Sequence, residues 1–125
     1  MISLKRGDIV LVWFPNSDLK TFKRRPALVV QADELNTGIP QVVLTMITSN
    51  LGRHTHPSRV FIPLQSSQPR STGLRTDSVV MTDNLATVLN QAIADKVGEL
   101  ADLSGVNQAL RMAHFVGTAM MLGAE

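Results

Sequence analysis

The chain has 125 residues, 44% hydrophobic and 18% charged, and no cysteine. That length fits one domain, residues 1–125, with a single core; the composition excludes a disordered chain, and the missing thiols exclude disulfides and thiolate metal sites. The net charge of +2 is uneven: residues 1–75 hold ten basic residues against four acidic, residues 76–125 two against six, so the first part either suits a polyanionic partner or is a solvated basic face.

No apolar run approaches the roughly 20 residues of a membrane span. The N-terminus has no signal-peptide pattern, so the expected location is the cytoplasm. Ile9 to Phe14 is apolar on both parities and predicts a strand covered on both faces. Pro15 and Asn16 end it. Residues 16–25 read as a polar, basic loop. Arg25 precedes a proline and is therefore biased to an extended backbone. Strands are predicted over Ala27–Gln31, Gln41–Ile47, Arg59–Pro63 and Ser78–Met81, with turns or loops at 32–38, 49–58 and 65–73. Val88 to Ile93 reads as a short helix and Lys96 to Leu100 as an edge strand. Asp102 or Ser104 caps a C-terminal helix whose apolar face is Leu103, Val106, Leu110, Ala113, Gly117 and Met120, with Gly123 as a stop. The fold class is mainly β with a C-terminal α-helix: a small antiparallel barrel or curled sheet closed by that helix.

Phosphate loops, GxSxG elbows and zinc motifs are absent from the sequence. His54 and His56 share a parity and can face one metal, but no third ligand stands nearby and a catalytic zinc needs three. They read rather as loop histidines, near a phosphate or simply in solvent. His114 reads as a structural helix residue. Arg25 at a strand entrance offers a planar, bidentate donor suited to a phosphodiester that gains charge. Thr48, at the exit of the next strand, can donate a hydroxyl proton to a non-bridging oxygen. Ser49 and Asn50 can assist it or serve only as turn residues. Trp13, Phe14, Phe61 and Phe115 fall in predicted elements and read as core. Phe22, in the basic stretch, can stack on an unpaired base or tuck into the fold. Asp83 can orient Arg25, accept a 2′-hydroxyl proton, or simply close a turn.

RGDIVLVWF, SDLKTFKRRPALVVQ, TMITSN, GLRTDSVVMTDNLATV and LADLSGVNQALRMAHFVG, in this order, resemble the MazF/PemK family of toxin-antitoxin ribonucleases over nearly the whole chain. The resemblance implies an SH3-like barrel of the PemK/MazF/CcdB type, a homodimer, and metal-independent cleavage of single-stranded RNA at short sequences, as an mRNA interferase that inhibits growth. The expected products are a 2′,3′-cyclic phosphate and a 5′-hydroxyl. It implies a cognate antitoxin as protein partner and no cofactor. Arg25 and Thr48 take the family's catalytic positions, and Asp83 that of an acidic residue given a base or orienting role in some members. Phe22, Lys23, Arg24, Ser49, Asn50, Arg53 and His54 are the expected RNA contacts. The family's usual DQIRT reads Asp83-Asn84-Leu85-Ala86-Thr87, and Met81 stands where some members carry a second catalytic arginine. The rival readings are a CcdB-like, non-enzymatic gyrase-binding toxin and a catalytically inactive family member that only binds antitoxin.

Overall fold

The computed structural model describes residues 3–16, 18–64 and 72–114. Strands β1 (Asp8–Pro15), β2 (Phe22–Val29), β3 (Gln41–Thr48), β4 (Arg59–Ile62), β5 (Ser78–Leu89) and β6 (Ile93–Glu99) form one sheet in the order β4-β5-β3-β2-β1-β6, and helix α1 (Ser104–His114) follows. Every pairing is antiparallel. The expected mainly β architecture with a C-terminal helix is therefore what the chain adopts.

Alternation along β1 explains why its run is apolar on both parities. Val10 and Val12 belong to one core cluster with Ala27, Leu44 and Met46. Ile9 belongs to a second with Leu28, Ile47, Val80 and Val106. Both faces of the sheet are thus covered, and each fully buried aliphatic side chain contributes about 1.5–3 kcal/mol of transfer free energy. Helix α1 closes the second face through Val106 and Ala109. Asp102 starts it, its Oδ1 accepting from the Ser104 amide at 3.0 Å and the Ser104 hydroxyl at 2.7 Å. Val106, Leu110 and Leu103 lie on the predicted apolar face, and Ala109 joins them. Phe115, Gly117, Met120, Gly123 and residues 65–71 of the expected connection lie outside the described residues.

Two expectations about the elements need correction. Residues 22–25 are not loop but the first half of β2, paired from Phe22↔Pro15 to Arg25↔Val12. Their charge and exposure hid a strand that is held by β1. The short helix expected over Val88–Ile93 shrinks to a single 3-10 turn: Val88 and Leu89 end β5, whose second half, Leu85–Leu89, pairs with Gln41–Thr45, and Ile93 opens β6. The interruption that hid this strand is a three-residue bulge. Met81 pairs with Met46 and Leu85 with Thr45, so residues 82–84 leave the β3 ladder. Their backbone finds other partners: the Thr82 amide donates to Ser58 C=O at 3.1 Å, and the His114 ring donates to Thr82 C=O. A one-turn 3-10 helix, Asn90–Ala92, then connects to β6.

The aromatic assignment also changes. Trp13 and Phe61 are 47% and 42% exposed, so they are not core. One face of Trp13 is covered by the Arg24 guanidinium, 5.7 Å from the ring centroid.

Candidate functional site

Proline 26 shapes the site. Val30 N–H donates to Val43 C=O, so even-numbered residues of β2 turn their amide side toward β3. Proline at position 26 has no N–H to offer there. The β2–β3 ladder runs Val29↔Leu44, Leu28↔Thr45, Ala27↔Met46 and stops. Beyond that point the strands part, β2 held by β1 and β3 by β5. Extending the register by two positions would set Arg25 opposite Thr48. The two residues therefore face each other across a gap that the ladder has ceased to close.

The gap is the head of a cavity of about 530 Å³. Lys23, Arg24, Arg25 and Pro26 form its β2 wall, Ile47, Thr48 and Ser49 its β3 wall, and residues 73–76 with Val97 the third side. Four of the described lining residues are cationic, Lys23, Arg24, Arg25 and Arg75, and none of the described ones is a carboxylate. Thr48 is half-buried beside Val79 of β5. Its Oγ1 accepts from the Asn50 amide at 3.1 Å, which leaves the hydroxyl proton free to donate outward.

The approach to this wall is a built hairpin. Asp18 Oδ1 accepts from the amides of Lys20 at 2.8 Å and Thr21 at 3.0 Å, and the Asn16 amide donates to Thr21 C=O. The hydrogen bonds to its carboxylate, from the Thr21 amide first and then the Lys20 amide, hold Asp18 below its usual pKa. They also support Leu19 at φ 59°, a left-handed conformation that few non-glycine residues adopt.

Of the residues singled out in the sequence, Lys23, Arg24, Arg25, Thr48 and Ser49 meet in the cavity. Phe22 does not line it; it lies opposite Pro15 at the far end of the hairpin, 60% exposed. Asn50 uses its side chain to cap the one-turn 3-10 helix Leu51–Arg53, accepting from the Gly52 amide at 3.1 Å, so its turn chemistry accounts for it. Arg53 ends that turn, and its side chain lies outside what the structure describes. His54 turns to Leu51 C=O at 2.9 Å and to the Phe61 ring at 5.8 Å. His56 turns instead to Ser58, 2.7 Å from its hydroxyl. The described residues contain no group of three His, Asp or Glu side chains placed to hold one metal ion.

Asp83 departs from expectation. It does not line the cavity. Lifted out of the ladder by the bulge, it is held by Arg59, with Nε at 2.8 Å from Oδ1 and Nη2 at 2.7 Å from Oδ2. The hydrogen bonds from Arg59 bring its pKa down to about 2. A carboxylate so held is a poor proton acceptor at neutral pH. The sequence could not reveal this partner, because Arg59 and Asp83 meet only through the β4–β5 pairing. Arg75 is a cationic lining residue that no motif in the sequence singles out. Its only local signal is its position just ahead of β5.

A small antiparallel sheet with a C-terminal helix and a cationic cavity at a splayed strand pair defines the class of molecule. The family described as the PemK-like, MazF-like toxin of type II toxin-antitoxin systems matches residues 5–113. The chain belongs to that family. It is 36% identical to endoribonuclease MazF6 of Mycobacterium tuberculosis over 87 residues, 69% of this chain and 72% of that protein. It is 29% identical to endoribonuclease EndoA of Bacillus subtilis over 113 residues, 88% of this chain and 93% of that one. Among solved structures, a mycobacterial endoribonuclease in complex with its cognate antitoxin superposes with a TM-score of 0.67 at 25% identity, covering 89% of this chain and 94% of that chain. MazF in a MazE–MazF complex of Deinococcus radiodurans reaches the same TM-score at 18% identity, covering 100% of both chains, and shares the barrel-like fold. No described helix is long and apolar enough to cross a membrane.

Proposed function

We propose that this chain is an endoribonuclease toxin that cleaves single-stranded RNA, with Arg25 and Thr48 as its catalytic pair. The observation that carries the reading is the cavity between β2 and β3, where those two residues stand on opposite walls amid cations and, among the described residues, no carboxylate. Such a cavity accepts a phosphodiester and favours the extra negative charge of its transition state.

The reaction is an internal transfer. The ribose 2′-oxygen bonds to the adjacent phosphorus and the P–O5′ bond breaks. Water takes the 2′-hydroxyl proton and returns one to the 5′-oxygen, leaving a 2′,3′-cyclic phosphate and a 5′-hydroxyl. Arg25 holds the phosphorane through its guanidinium, and its high pKa keeps it a charge rather than a base. Thr48 donates its hydroxyl to a non-bridging oxygen. Lys23 and Arg24 hold neighbouring phosphates, and exposed Phe22 is available to stack on a base. Asp83 takes no part, since Arg59 already claims it. The family's type II description supports an antitoxin as protein partner, and the reading includes a homodimer acting in the cytoplasm.

The test is incubation of purified protein with mixed-sequence RNA in EDTA, followed by mapping of both cut ends. The reading requires cleavage with cyclic-phosphate ends, and an Arg25→Ala variant slower by about 10²–10³ while folded. Cleavage by Arg25→Ala at the wild-type rate refutes the site.

A further inference from the structure

Arg75 comes to the cavity from a different wall than the other cations. Lys23, Arg24 and Arg25 are consecutive on β2, whereas Arg75 sits on the segment that closes the opposite side. That segment is held at several points. Thr72 is fully buried, and its hydroxyl accepts from the Leu74 amide at 3.2 Å. Gly73 has φ +71° and approaches so closely that a Cβ there would lie 2.2 Å from Val97 C=O. Leu74 packs on the second core cluster. Thr76 C=O accepts from the Ser78 hydroxyl at 3.0 Å. An arginine carried between fixed points is presented rather than draped, and none of the ion pairs among the described residues uses it.

A phosphorane carries two charged non-bridging oxygens. Arg25 and Thr48 reach the phosphate from β2 and β3. Arg24, stacked on Trp13, and Lys23 hold the neighbouring phosphates. Among the described residues, the third side of the cavity offers a guanidinium at Arg75.

We propose that Arg75 is a second catalytic residue, a guanidinium that contacts the non-bridging oxygen turned away from Arg25 as the 2′-oxygen bonds to phosphorus and the P–O5′ bond breaks. It transfers no proton; water carries both, as above. Its contribution is charge that counts most in the transition state, so its loss lowers the rate more than the affinity. The inference rests on the RNA-cleavage reading.

The experiment compares wild type, Arg25→Ala, Arg75→Ala and Arg75→Lys. Mixed-sequence RNA first locates the cut site. An oligonucleotide carrying that site is then cleaved under single-turnover conditions with enzyme in excess. Its counterpart with a 2′-deoxyribose at the cut, which lacks the attacking hydroxyl, reports affinity. Arg75→Ala is expected to lose about 10²–10³ in rate and under tenfold in affinity. Arg75→Lys should recover part of the rate, because an ammonium restores the charge without the fork. Circular dichroism checks folding, and Arg75→Gln, closer in volume, carries the comparison if the alanine variant melts early. An Arg75→Ala rate equal to wild type overturns the proposal, as does a fall in affinity that matches the fall in rate. Those outcomes leave the ribonuclease reading standing if Arg25→Ala is inactive. Wild-type protein that cuts no RNA brings down both.

Discussion

Substitution of Gly73 by alanine separates two costs that usually arrive together. The residue sits at φ +71°, where a Cβ crowds the following carbonyl oxygen; for an L-residue that conformation costs about 1–2 kcal/mol. Removing a glycine also narrows the unfolded ensemble, which returns about 0.4–1 kcal/mol. Gly38 supplies the control. It has φ +80° and nothing within 4 Å of a Cβ, so Gly38→Ala should cost roughly 1 kcal/mol or less. Gly73→Ala adds a Cβ at 2.2 Å from Val97 C=O and 2.8 Å from its carbonyl carbon. Backbone, not a side-chain tip, stands in the way, so residues 73–76 or the β6 edge must move by about an ångström. The extra cost is on the order of 1–3 kcal/mol, as for overpacking a tight site, and Tm should fall by roughly 4 °C for each of those kcal/mol in a domain of this size. The two variants would be compared by thermal unfolding followed by circular dichroism, and by RNA cleavage below both transitions. Gly73→Ala should melt well below Gly38→Ala and, because the moved segment carries Arg75, also cut more slowly. Equal melting temperatures would refute the close approach. A lower Tm with undiminished cleavage would refute the link between that segment and the site.

Three further outcomes follow from particular contacts. Asp8 is fully buried, with Oδ2 accepting from the Lys5 amide at 2.8 Å and Oδ1 facing, among the described residues, only Lys96 Nζ at 3.2 Å; Lys96→Met should cost about 2 kcal/mol by stranding that carboxylate, less than a fully buried pair because Lys96 is 36% exposed, and adding Asp8→Asn should recover part of it in urea unfolding. The Arg59 hydrogen bonds hold the Asp83 pKa at about 2, below the ordinary carboxylate value of 3.8, so its stabilising contribution is complete above about pH 4 and is lost as pH falls through 2. Melting curves of wild type and Asp83→Asn should therefore differ at pH 6, by no more than about 1 kcal/mol for a pair whose carboxylate is 40% exposed, and converge near pH 2. Asp83→Asn that cuts RNA a hundredfold more slowly while folded would return the proton-transfer role to Asp83. Neutralising Lys23 and Arg24 together should flatten the dependence of log affinity for single-stranded RNA on log salt by about 1.4, whereas an unchanged slope would make them a solvated face.

The parts of the fold visible in the sequence are those set by local pattern. Burial of β1 on both faces follows from an apolar run with no polar parity, and α1 follows from a capped 3.6-residue period. What the sequence hid depends on partners distant along the chain. Lys23-Arg24-Arg25 looks like loop because it is polar, yet β1 supplies a ladder that charge does not prevent. Val88 to Ile93 looks helical until Gln41 and Val42 are placed beside its first two residues. Asp83 could be assigned to Arg25 only because nothing in the sequence puts Arg59 within reach.

Pro26 illustrates how the two kinds of information combine. From sequence it restricts Arg25 to an extended backbone. In the sheet it also denies β3 a donor, and the ladder ends one residue before it. A proline inside a strand flanked on both sides is costly unless one flank is free. Here the free flank is the cavity itself. The feature that weakens the sheet is thus the one that opens it between Arg25 and Thr48. An N–H restored by Pro26→Ala could bond to Ile47 C=O and extend the ladder toward that pair. The variant should then be at least as stable as wild type in urea unfolding, and slower to cut RNA because the walls have drawn together. Loss of stability with full activity would mean that the gap is held open by something other than the missing donor.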